Sequence, residues 1–66
     1  MNEAALVETA REAFSEVTGV LEDAAVIAAE GQASPKLSAA RQSCDRLINV
    51  LEACLERLQR LRRRLG

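Results

Sequence analysis

The chain has 66 residues, a formal net charge of −1 and no His, and a core of that length falls below the ~70–80 residues at which burial alone gives comfortable stability, so a disulfide, a metal or a partner subunit is expected to complete it. The apolar share is 48% with one Phe and neither Trp nor Tyr, and the 29% charged residues together with Ala and Leu give the composition of long helices. Near-neutral charge excludes a global field toward nucleic acid or acidic membrane, and no run approaches the ~20 apolar residues of a membrane span.

Apolar residues in the first half fall at Val7, Ala10, Phe14, Val17, Leu21, Ala24 and Ala28. Their alternating steps of three and four predict a helix over about 3–30 with a heptad seam. A second row, Leu6, Ala13, Val20 and Ile27, sits one residue earlier and widens the stripe. Asn2 is expected as the N-cap, with Glu3 and Glu8 favouring the positive end of the helix dipole. Gly31 reads as the C-terminal stop, where a left-handed residue ends many helices. Gly19 falls on the outer face as a tolerated surface glycine that costs about 1 kcal/mol relative to Ala.

Residues 31–34 form the predicted turn. Ser34 is expected as the next N-cap with Pro35 at the first helical position, where the missing N–H costs nothing. A second helix follows over about 35–65, with its seam at Leu37, Ala40, Cys44, Leu47, Leu51, Cys54, Leu58, Leu61 and Leu65. Ile48, Val50 and Leu55 widen that stripe midway. A short turn between helices of equal length predicts antiparallel neighbours. Charge supports the same pairing: residues 1–31 carry seven acids and one base, residues 32–66 eight bases and three acids. Folding back sets the acidic start of the first helix beside the basic end of the second, with each exposed pair contributing about 0.2–1 kcal/mol.

The fold class expected is therefore all-α: an antiparallel, coiled-coil-like two-helix hairpin that completes a helical bundle with a second copy or a partner protein. Two helices bury only a strip between them, so stripes this wide leave an apolar face that marks an interface. The candidate partner-binding residues are Leu6, Val20, Ile27, Ile48, Leu51, Leu55 and Leu58. Self-pairing into a four-helix bundle and capture of another protein's helix both satisfy that face.

No cofactor or metal is expected. Cys44 and Cys54 lie ten residues apart on one helix, roughly 15 Å along its axis, too far to bridge each other. Both read as small hydrophobes on the seam. The Arg-rich end, Arg57, Arg60, Arg62, Arg63 and Arg64, has no interleaved aromatic residue to stack bases, and the acids of the first helix match it. It reads as a solvated helix end, with a nucleic-acid-binding hairpin dimer as the third functional reading. Catalysis is not expected, because no His, activated Cys or phosphate-cradling glycine loop is present. The Asn2-Glu3 opening differs from the basic start of a signal peptide, so a cytoplasmic location is expected.

One polar ridge remains: Gln42, Asp45, Arg46 and Asn49, spaced i, i+3, i+4 and i+7. With Gly31, Ser34, Pro35, Leu47 and Ile48, this stretch resembles the small two-helix aspartyl-phosphate phosphatases of the sporulation phosphorelay. Arg41 and Cys44 stand where that family's signature has Ser and Leu. The resemblance implies response-regulator binding, with the Gln42 amide placing a water against the aspartyl phosphate and Asp45 supporting it. In size, two-helix architecture, glycine-containing bend and missing aromatic core, the whole chain is also similar to the small co-chaperones that hold type III secretion needle subunits before export. That similarity implies a bacterial, non-enzymatic hairpin paired with a larger helical chaperone. The leading expectation is accordingly an adaptor or co-chaperone acting through its apolar face, and the alternative is a phosphatase-like regulator.

Overall fold

A computed structural model describes residues 2–66. It contains two long helices, α1 (Glu3–Gln32) and α2 (Leu37–Leu65), packed against each other as a hairpin. Helix α1 begins as its sequence dictates: the Ala5 N–H donates to the Asn2 carboxamide oxygen at 2.8 Å, which satisfies one of the unpaired amides of the first turn. The hairpin is antiparallel, with Arg57 of α2 reaching Glu16 of α1 at 2.9 Å and Arg46 reaching Glu30 at 3.2 Å.

The turn differs from expectation in two respects. Gly31 does not stop α1; it stays helical, and the C-cap is Ala33 at φ −93°. Among the described residues the only positive φ belongs to Gly66. Gly31 is needed for nothing left-handed because the chain leaves the helix by a turn that any residue can make. The Ala33 N–H donates to the Ala29 and Glu30 carbonyls, and the Ser34 N–H to that of Gly31. Ser34 and Pro35, in turn, do not open α2. The Ser34 hydroxyl points back and donates to the Glu30 carbonyl at 3.3 Å, serving the end of α1 instead. Helix α2 starts at Leu37 behind an extended Lys36, whose side chain makes no capping bond.

Between the helices the seam is narrow. On α1 it runs Leu6, Ala10, Ala13, Val17, Val20, Ala24, Ile27 and Gly31, all buried or half-buried. On α2 it runs Ala40, Ser43, Leu47, Val50, Cys54, Leu58 and Leu61. Among the described residues only Val17, Ala24, Ile27, Cys54 and Leu61 are buried, and no side chain is fully enclosed. The radius of gyration is 15.5 Å, against roughly 11 Å for a compact chain of this length. The hairpin is a rod with half of a core.

Candidate partner-docking face

Helical geometry sorts the two flanks of that seam. Successive residues turn by about 100°, so residues seven apart share a face. One flank of α1 carries Thr9, Glu16, Asp23 and Glu30; the opposite flank carries Val7, Phe14, Leu21 and Ala28. Each lies about 80° from the seam centre. Glu16 and Glu30 are the residues that bond Arg57 and Arg46, so that side of the hairpin is a charged face. The other side is apolar.

On the apolar side α2 contributes Cys44, Leu51 and Leu65, flanked further out by Ile48 and Leu55. The antiparallel register brings Leu65 beside Leu6, Val7, Ala10 and Phe14, where they line an open groove of about 440 Å³ with Glu3 and Arg11 at its rim. Exposure is high along the whole strip: Phe14 53%, Leu21 50%, Ile48 47%, Leu51 42% and Leu55 55%. Single exposed apolar side chains are ordinary. A continuous two-helix row of them, rimmed by charge, is the mark of an interaction surface.

Of the candidate partner-binding residues, Ile48, Leu51 and Leu55 lie on this open face. Ile27 is buried between the helices, and Leu6, Val20 and Leu58 are half-buried at the seam. Conversely, Val7, Phe14 and Leu21, which heptad counting places at the seam, are exposed, as are Cys44, Leu51, Leu65 and Leu37. The reason is size. Ala10, Ala13, Ala24 and Gly31 supply small residues to the seam of α1, and the bulkier row of Val7, Phe14 and Leu21 falls outside it. The acid ladder carried the signal: a helix that must present Glu16 and Glu30 to α2 on one flank places Phe14 and Leu21 on the other.

Gln42 and Asp45 lie exposed on the side of α2 directed away from α1, and neither joins a side-chain hydrogen bond among the described residues. Arg46 leaves the polar ridge to pair with Glu30. Arg62, Arg63 and Arg64 are exposed in the last turn of α2. Among the described residues no group of His, Cys, Asp and Glu is arranged to hold a metal ion. No helix in the described residues is long and apolar enough to cross a membrane. No family model, no curated protein and no solved structure matches the chain.

Proposed function

We propose that the protein is a non-enzymatic helical-hairpin interaction module, an adaptor or co-chaperone, that binds a partner protein through its open apolar face. One observation carries the reading: Phe14, Leu21, Leu51 and Leu55 share one side of the hairpin and are each at least 42% exposed, while the opposite side is closed by ion pairs. The surface area agrees. A compact 7.2 kDa protein exposes roughly 4,100 Å², whereas this chain exposes 5178 Å². The excess, roughly 1,000 Å², is of the size that a specific interface covers.

Site-specific photo-crosslinking in cells tests this. A photoreactive residue at Leu55, on the face, is expected to trap a protein partner (another copy of the chain included), whereas one at Glu22, on the outer side of α1, traps none. Leu51→Glu, which adds charge to the face without touching the seam, should abolish the adduct. Equal trapping from Leu55 and Glu22, or trapping indifferent to Leu51→Glu, would overturn the reading.

A further inference from the structure

Building on that reading, we infer that the occupant of the apolar face is a second copy of the chain, joined by a two-fold axis parallel to the helices so that α1 of each copy lies against α2 of the other. Length, width and charge point to this arrangement.

The apolar strip spans Val7 to Ala28 on α1 and Cys44 to Leu65 on α2, the same number of residues on each helix, or roughly 32 Å at 1.5 Å per residue. A second copy in the same register therefore covers it end to end. Across both helices the hairpin is 16 Å wide. A single foreign helix, about 10 Å across, leaves much of that width wet.

Charge then selects the orientation. Residues 1–31 hold seven acids against one base and residues 32–66 eight bases against three acids, so the two helices carry opposite net charge. Two face-to-face arrangements are isologous. If the two-fold axis crosses the helices, α1 stacks on α1 and α2 on α2, setting the two net-acidic helices against each other and the two net-basic helices against each other. If it runs parallel to the helices, every helix touches only helices of opposite charge, and all neighbours stay antiparallel. Like-charge juxtaposition across an interface is costly, so the parallel axis is the one adopted. Any other partner covering the full face would have to present a basic helix over α1 and an acidic one over α2; this chain already does.

The test combines solution mass with distances between spin labels. Sedimentation equilibrium of the full chain should give twice the 7.2 kDa of one copy. Single Cys residues are then placed at Glu8, Ser15 and Glu22, which share the outer face of α1, in a background with Cys44 and Cys54 replaced by Ala and its mass and helicity checked. With the axis parallel to the helices, residue i and its copy lie at the same height, so all three positions give one common label-to-label distance. With a crossed axis the axial offset grows from the middle of α1 outward, reaching roughly 29 Å at residue 8 against about 8 Å at residue 15, and that pattern would overturn the arrangement while leaving the docking face intact. A mass of one chain up to millimolar concentration would overturn the second copy as occupant; crosslinking from Leu55 would then decide separately whether the face docks another protein. Failure of the Leu55 adduct as well would remove the reading on which the inference rests.

Discussion

Gly19 and Gly31 sit within α1 for reasons unrelated to backbone freedom, and both are open to improvement. A Cβ at Gly19 would meet nothing within 4 Å, and one at Gly31 would stand 3.5 Å from the Ser43 Cβ, an ordinary van der Waals contact. Gly19→Ala should therefore stabilise the hairpin by about 1 kcal/mol and Gly31→Ala by about 0.5–1 kcal/mol, read as a rise in the denaturant midpoint with unchanged slope. A loss of stability in Gly31→Ala would show that the helices close more tightly there than the structure has them. Lys36 precedes α2 without capping it, and Lys36→Ser should add about 0.5–1 kcal/mol by supplying the missing acceptor. The cap at Asn2 was legible because its side chain has only one helix to serve. Ser34 was not, since a hydroxyl between two helix ends can bond either, and it bonds the Glu30 carbonyl behind it. The two thiols separate as well: Cys44 is exposed and Cys54 buried, so alkylation of the dilute chain should modify Cys44 first, leaving Cys54 to react only on unfolding.

At the scale of the helices, the seam and the open face predict opposite outcomes for the same substitution. Val20→Glu buries a carboxylate half-way between α1 and α2 with no partner. It should cost more than 2 kcal/mol and abolish much of the helical circular dichroism signal. Leu21→Glu, one residue on, places its charge on an exposed position and should leave helicity near that of the parent under conditions where the chain is monomeric. Comparable loss of helicity in both would contradict the assignment of faces. The Glu16–Arg57 pair is exposed, with 63% and 44% of the two side chains open to solvent. A double-mutant cycle there should give about 0.2–1 kcal/mol, diminishing with salt; its role is to set the antiparallel register more than to add stability. Helix count, length and direction were readable because the three-four spacing and the charge division act along whole helices. The centre of the seam was not, because Leu6, Val7, Val17, Val20 and Leu21 occupy a broad arc of α1 that satisfies an inner seam and an outer face together, and only the positions of Glu16 and Glu30 divide it.

As a whole molecule the chain is a thin pair of helices with one side left apolar and open. Its surface exceeds that of a compact protein of equal mass, its apolar strip is as long on α1 as on α2, and its two helices carry opposite charge. These features are what the proposed docking of the apolar side rests on. The most direct measurement is sedimentation equilibrium over a dilution series, comparing the parent with the double variant Leu21→Glu, Leu51→Glu, and with helicity recorded in parallel. The account predicts a helical assembly of two chains for the parent and a single helical chain for the variant, with a thermal midpoint that depends on concentration only in the parent. Identical mass and identical concentration dependence in the two proteins would contradict it, because charges placed in the middle of a working interface cannot leave that interface unchanged.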